Sequence, residues 1–363
     1  MLIQIRGFIH SVKPGTTPQP NDRNKLEYQE ETNINKKHIQ TRNTYKQETH
    51  TNRKHIQTRN TYKQETYTNK KQTERYKTMK IGFIGLGIMG ESMCENIVKK
   101  HDDTVYCFDF VKEKVDLLAS KGAVACENSV ELAKQSDVII SMVPKSEHSR
   151  AVYEAIAGVL DGTKTCIDMS TIDPSVSVEI SEMVKKTGAG FIDAPVVKSK
   201  PAAIDGTLGI YVGGDEKTFE AMKPILLYMG CNVIRMGDNG KGLVMKICHN
   251  ALVSQIQNGV NETITLAKAN GISIPDFATA VSYGGASNWY LDGQAKKLEA
   301  EDYTTAFSIE NMAKDVNICV NLAKECGVKM PGEENARDVY QTALDRGMAK
   351  EDFRATIKVV RDR

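Results

Sequence analysis

The chain has 363 residues, 40% hydrophobic and 26% charged, with a formal net charge of +2, which is the composition of a globular protein long enough for two domains of ~100–200 residues. The near-neutral total averages two unlike segments: residues 1–78 hold 16 Lys/Arg against 7 Asp/Glu (+9), and the other 285 hold 32 against 39 (−7). With 27 Gly, 10 Pro, no sustained heptad and no apolar run of about 18 residues, the chain is neither collagenous nor a coiled coil, and no stretch of it is fit to span a bilayer.

Residues 37–53 and 54–70 are a 17-residue tandem repeat that differs only at His50/Tyr67 and Arg53/Lys70. One Ile and one or two Tyr per repeat cannot offset a backbone ordering cost of ~1–2 kcal/mol per residue, so 1–78 reads as a disordered basic arm and not as a stacking solenoid. Three roles stand open. The arm could tether nucleic acid, with Tyr45, Tyr62 and Tyr67 stacking on bases; MLIQIRGFIHSVK could be an organelle presequence; or 1–78 lies upstream of a functional start at Met79. The third is favoured because the first core strand opens at Lys80, and nucleic acid is then not expected as a partner.

From Lys80 an apolar strand leads into Gly85-x-Gly87-x-x-Gly90 and a run with Met89, Met93, Ile97 and Val98 at helical spacing. This strand, glycine loop and helix suit a dinucleotide: Gly85 for the turn, Gly87 for approach to the pyrophosphate, Gly90 for close helix packing, with Leu86, Ile88 and Met89 completing the loop. A second strand, 104–109, ends in Asp109, 24 residues after Gly85, where a carboxylate can hold the adenosine ribose. That carboxylate favours NAD over NADP, although Lys112 and Lys114 stand close enough to soften its repulsion of a 2′-phosphate, and NADP stays as the alternative.

Strand and helix patterns then alternate: a strand over 137–144, a helix around 147–158, a strand over 165–171, a helix after Pro174, and strands over 190–195 and 206–214. Alternation predicts a Rossmann-type α/β fold, a doubly wound and mostly parallel sheet, with Pro144, Ser170, Thr171 and Pro195 gathered at the carboxyl ends of its strands. After Gly237 the period becomes helical throughout. A long helix over 240–270, apolar at Leu243, Val244, Ile247, Leu252, Val253, Ile256, Val260, Ile264 and Leu266, precedes helices over 275–283, 287–299, 308–326, 333–346 and near 350–360. The expected domains are therefore 79–239, which binds the cofactor, and an all-helical 240–363.

All eight Cys lie after Met79, without a C-x-x-C pair or a Cys/His spacing suited to zinc, so no metal is expected. Unpaired thiols point to a reducing compartment: the cytoplasm, or the mitochondrial matrix if the opening segment targets the chain.

GFIGLGIMG at 82–90, IDMSTIDP at 167–174, DAPV at 193–196 with AIDGTLGIYVGG at 203–214, and GKGLVMKICHN at 240–250 resemble, in order and spacing, the β-hydroxyacid dehydrogenase family. The resemblance runs from Met79 to about Val360. It implies an NAD-dependent oxidoreductase that interconverts a small anionic 3-hydroxy acid and its semialdehyde, working as a homodimer or homotetramer. It makes Lys246 the general acid/base and Asn250 a substrate ligand. His249 and Trp289 are candidate pocket residues, and Lys-x-x-His-Asn is similar to the 6-phosphogluconate branch. Ser170 and Thr171 would meet the nicotinamide end, flanked by Met142, Val143 and Pro144, with Lys314 reaching the cleft from the helical half. One loop departs from the pattern: where most members have Ser-Gly-Gly after DAPV, this chain has Val197, Lys198 and Ser199. Replacing both glycines restricts the backbone, and Lys198 becomes an expected anion anchor, as in the sulfolactaldehyde reductase branch. Sulfo- or phospho-aldehyde reduction is the alternative activity. A non-catalytic dinucleotide-binding scaffold is the alternative of another class, and Lys246 with Asn250 argues against it.

Overall fold

The computed structural model describes residues 76–362; the repeats and the three readings of the arm lie outside the described residues. The first part alternates: β1 (Ile81–Ile84), α1 (Gly90–Lys100), β2 (Val105–Phe108), α2 (Lys112–Ser120), β3 (Val124–Ala125), α3 (Ser129–Gln135), β4 (Val138–Ser141), α4 (Ser146–Ile156), β5 (Thr165–Asp168), α5 (Pro174–Lys185) and β6 (Gly190–Asp193). There follow β7 (Val196–Val197), α6 (Lys200–Ile204), β8 (Leu208–Gly213), α7 (Glu216–Leu226) and β9 (Gly230–Gly237). Strands β1 to β6 are parallel in the order 3-2-1-4-5-6, the doubly wound dinucleotide arrangement, and β8 adds antiparallel to β6.

Because side chains alternate along a strand, each strand feeds two cores. Phe83, Ile140, Ile167 and Ile192 pack with Met93 and Ile97 of α1 and Met222 of α7. Ile84, Ile139, Cys166 and Phe191 pack on the other face with Leu132 of α3, Tyr153 of α4 and Ile180 of α5. A sheet buried on both faces needs continuous apolar strands, which is why these segments read so plainly.

The remainder is helical: α8 (Lys241–Ala269), α9 (Ile274–Ser282), α10 (Trp289–Glu299), α11 (Ile309–Glu325), α12 (Pro331–Asp345) and α13 (Ile357–Arg361), the last entered through a 3-10 turn at Phe353–Thr356. No helix among the described residues is long and apolar enough to cross a membrane. All eight cysteines are free thiols, five of them buried.

The inward face of α8 differs from the apolar stripe expected of it. Leu252 and Leu266 are 61% and 65% exposed, whereas Asn250, Ser254, Gln257, Asn258 and Asn261 are buried. The polar groups tolerate burial because other helices bring partners. Asn250 Nδ2 donates to Asp315 Oδ2 (2.6 Å), Ser254 Oγ to Glu333 Oε2 (2.8 Å), and Gln257 and Asn261 both donate to Thr356 Oγ1 (2.6 and 3.2 Å).

Glu333 is fully buried, its Oε1 has no hydrogen-bond partner among the described residues, and burial pushes its carboxyl up to about 7. That value lies above the ordinary 4.5, so the proton favours the folded state; the stabilisation is complete below about 4.5 and is lost as pH rises through about 7. Glu333→Gln never ionises. Its stability relative to wild type should therefore rise between pH 5 and pH 8 by about 1–3 kcal/mol, as followed by thermal denaturation. A difference independent of pH would count against the protonated carboxyl.

Candidate active site

Phe108, Ile84, Ser141, Asp168 and Asp193 are successive register partners across β2, β1, β4, β5 and β6, a single row at the carboxyl edge of the sheet. The loops singled out in the sequence leave the sheet from this row, where open α/β sheets bind ligands.

At β1, Gly85 has φ +94, and a Cβ there would lie 2.4 Å from the Met142 carbonyl oxygen; a Cβ on Gly90 would lie 2.0 Å from Gly85 O. The loop is thus drawn tight against β4 and against its own helix. Gly87 has open space where its Cβ would stand, and the N–H groups of Gly87, Ile88 and Met89 have no backbone partner among the described residues. Bare backbone and free donors at the start of α1 form a cradle that fits a pyrophosphate. Leu86 belongs to the core instead: its side chain is fully buried, and its N–H donates to Asp109 Oδ2 (2.6 Å). The other Asp109 oxygen accepts from Val111 N (2.8 Å). The carboxylate is fixed at the end of β2 with lone pairs left for a ribose hydroxyl. Lys112 bonds Asp116 (2.7 Å) on its own helix, and Phe110, 95% exposed, follows the carboxylate directly.

Toward the middle of the row, Val143 N donates to Ser170 Oγ (2.9 Å), joining the loops after β4 and β5; Pro144 beside it is exposed. Asp168 holds this junction from below, accepting from Ser170 N and Ser141 Oγ (both 3.0 Å). Burial pushes its carboxyl up, and hydrogen bonds from Ser170, Ser149 and Ser141 pull it partly back.

The helical half meets the row here. Lys314 Nζ donates to the Thr171 carbonyl and is ion-paired with Asp315 (3.2 Å). Asn250, which donates to Asp315, accepts from Lys246 Nζ through Oδ1 (3.2 Å). Asp315 thereby fixes which way the Asn250 amide faces. Lys246 is only 7% exposed, and burial pushes its amine down to about 8, with Asp315 opposing the shift and Lys314 adding to it. One turn along, His249 Nδ1 lies 3.3 Å from the Tyr211 hydroxyl, and its pKa is lowered by burial and by the Lys246 charge.

The loop after β6 departs from the expectation of restricted backbone. Lys198 takes the left-handed conformation despite its side chain, at φ +80. It is exposed, and its ammonium donates to the Thr207 carbonyl (2.6 Å), which leaves two of its three protons for a ligand. Val197 is buried as the end of β7, and Ser199 precedes α6 without capping it. Trp289 is 58% exposed with its ring edge-on to Tyr290, and these contacts do not join it to the Lys246 group. Sequence reasoning gave no site role to Asp168, Asp193, Asp315 or Tyr211. The first two lie in the IDMSTIDP and DAPV segments, and each closes a strand after two buried apolar residues.

Residues 80–237 match the family model described as the NAD binding domain of 6-phosphogluconate dehydrogenase, and residues 240–360 match the one described as NAD-binding of NADP-dependent 3-hydroxyisobutyrate dehydrogenase. The chain is 30% identical to 2-(hydroxymethyl)glutarate dehydrogenase of Eubacterium barkeri, over 78% of this chain and 95% of the relative. It is 33% identical to mitochondrial 3-hydroxyisobutyrate dehydrogenase of Drosophila melanogaster, over 75% and 86%. The solved structure of Mycobacterium tuberculosis 3-hydroxyisobutyrate dehydrogenase with L-serine superposes with a TM-score of 0.73 at 28% identity, over 78% of this chain and 99% of that one. With a doubly wound sheet, a helical C-terminal region and relatives matched along nearly their whole length, the chain belongs to the β-hydroxyacid dehydrogenase family.

Proposed function

We propose that the protein is an NAD-dependent oxidoreductase interconverting a small anionic 3-hydroxy acid and its semialdehyde, with Lys246 as the general acid and base. The observation that carries this reading is the buried Lys246 amine, depressed to about 8 and held by Asn250 beside the strand ends that bear the cofactor loops. Bound NAD supplies the hydride acceptor, and NADH the donor. Lys246 gives its proton to the carbonyl oxygen in reduction and takes it back from the hydroxyl in oxidation; an amine near 8 can do either near neutral pH. Asn250, set by Asp315, orients the substrate oxygen, and Lys314 fixes the helical half on Thr171. Gly87, Ile88 and Met89 hold the pyrophosphate and Asp109 the ribose hydroxyls. Its negative charge disfavours a 2′-phosphate, and the commitment of Lys112 to Asp116 supports NAD as the preferred cofactor.

Lys198 anchors the substrate's anionic group in this reading. The matching test is a reduction assay with NADH and NADPH against tartronate, methylmalonate, succinate and sulfolactate semialdehydes; no turnover of any would overturn the reading, and a preference for the sulfonate would favour the sulfo-aldehyde alternative. In the same assay Lys198→Gly should raise KM about tenfold while raising Tm, since glycine adopts φ +80 without the cost of about 1 kcal/mol that a side chain bears there. A KM unchanged would remove Lys198 from the site. The homo-oligomer is supported by the outward face of α8, where Leu252, Gly259 and Leu266 recur at seven-residue steps, all exposed.

A further inference from the structure

We infer that Asp193 is a positioning residue for the Lys246 amine: its buried carboxylate fastens the first turn of α8 to the end of β6 and thereby sets where Lys246 stands relative to the strand ends. The inference rests on the reading of Lys246 as the acid/base.

The helix that carries Lys246 has no cap of its own. Its N-cap position is Gly240, at φ +88, and the preceding Asn239 turns its amide to the carbonyls of Phe191 and Gly213. The first-turn amides, which every helix leaves without intrahelical acceptors, are met from another element: Gly240 N donates to Asp193 Oδ1 (2.7 Å) and Leu243 N to Oδ2 (3.0 Å). A local cap would stabilise the helix wherever it lay. A carboxylate 47 and 50 residues away in sequence ties it to one place.

The two bonds fix rotation as well as distance, because they reach amides three residues apart on a helix that turns about 100° per residue. Lys246 is the next turn. Its long side chain ends well outside the Cα radius of about 2.3 Å, so a rotation of about 15° would sweep the amine roughly 2 Å, and a misplacement of 1 Å can cost about 10²-fold in rate.

Two glycines make room for the carboxylate. A Cβ on Gly213, its partner on β8, would lie 2.4 Å from Oδ1, and one on Gly242 of α8 would lie 2.8 Å from Oδ2. The sheet and the helix close on it from both sides. Burial, with some help from Asp168, pushes the carboxyl up to about 6, and the two amides favour its ionised form.

The experiment compares the full chain, Asp193→Asn and Lys246→Ala, with NADH and the best semialdehyde of the panel. For Asp193→Asn we expect an NADH Kd within twofold of wild type, a KM within about threefold, a kcat lower by about ten- to a hundredfold, and displacement of the pH limb near 8 that belongs to Lys246. Unchanged kcat per folded site with an unmoved limb, even if Tm falls, would make Asp193 a structural cap only and overturn the inference. Should Asp193→Asn not fold, Gly242→Ala provides the same readouts, since it keeps the carboxylate while its Cβ would meet the Tyr211 carbonyl (2.6 Å), Gly213 N (2.7 Å) and Asp193 Oδ2 (2.8 Å) and so push the first turn of α8 away from the strand ends that Asp193 joins it to; wild-type kcat and limb there would overturn it equally. Lys246→Ala separates the two ideas. An active Lys246→Ala sinks the acid/base reading, whereas an inactive one beside an unaffected Asp193→Asn sinks only the positioning role.

Discussion

Lys246→Ala is expected to lower kcat for semialdehyde reduction by about 10²–10⁴-fold, the usual worth of a general acid, with little change in NADH affinity. The amine's hydrogen bond goes to Asn250, not to a cofactor loop. In wild type, reduction needs the ammonium and should decline as pH rises through about 8, while oxidation needs the free amine and should rise through the same pH. Both limbs should vanish in the alanine variant. Lys246→Arg keeps the charge, but a guanidinium does not release its proton in this range, so oxidation should stay lost. Turnover within threefold of wild type in either variant would remove Lys246 from the chemistry.

Gly87→Ala is expected to leave Tm within about 1 °C of wild type and to weaken NADH binding by at least about a hundredfold, close to 3 kcal/mol. A methyl at Gly87 meets nothing within 4 Å, so the fold is indifferent to it, but it stands in the cradle where the pyrophosphate approaches. Gly90→Ala is the contrasting case: its Cβ would sit 2.0 Å from Gly85 O, so the loop must shift and both Tm and affinity should fall. Calorimetric titration with NADH beside thermal denaturation reads both. Full affinity in Gly87→Ala would place the pyrophosphate elsewhere.

The parts of the site that were legible in sequence are those whose physics is local. Gly85, Gly87 and Gly90 declare a tight turn between strand and helix by spacing alone, and Asp109 follows at the end of the next strand. The long helix announced its length through its period and its end at Asn270-Gly271. What stayed hidden depends on partners distant in the chain. Asp193 looks like the polar end of Gly190-Phe-Ile-Asp193 until Gly240 and Leu243 arrive. Ser254, Gln257 and Asn261 fall outside the apolar stripe of the long helix, and nothing near them in sequence reveals Glu333 or Thr356. Replacing the glycines restricts the backbone in the sequence reading, yet Lys198, between β7 and α6, takes φ +80, a conformation that nothing in its neighbouring sequence announces. Two-residue strands such as β3 and β7 are too short for any period to register.

The matched polar groups of α8 bear on recombination between relatives. A crossover between 261 and 333 would separate Ser254, Gln257 and Asn261 from Glu333 and Thr356, leaving buried donors facing foreign side chains. A crossover between β9 and Lys241 keeps that set whole. Across that join Asp193 reaches backbone amides that every sequence possesses, and Lys314 reaches the Thr171 carbonyl; the side-chain demands are a glycine at 242, the Tyr211–His249 contact and the packing of Leu243. The natural seam for chimeric enzymes in this protein is therefore at 238–240, where the join is read mostly by the main chain and the exchanged helices bring their own interior with them.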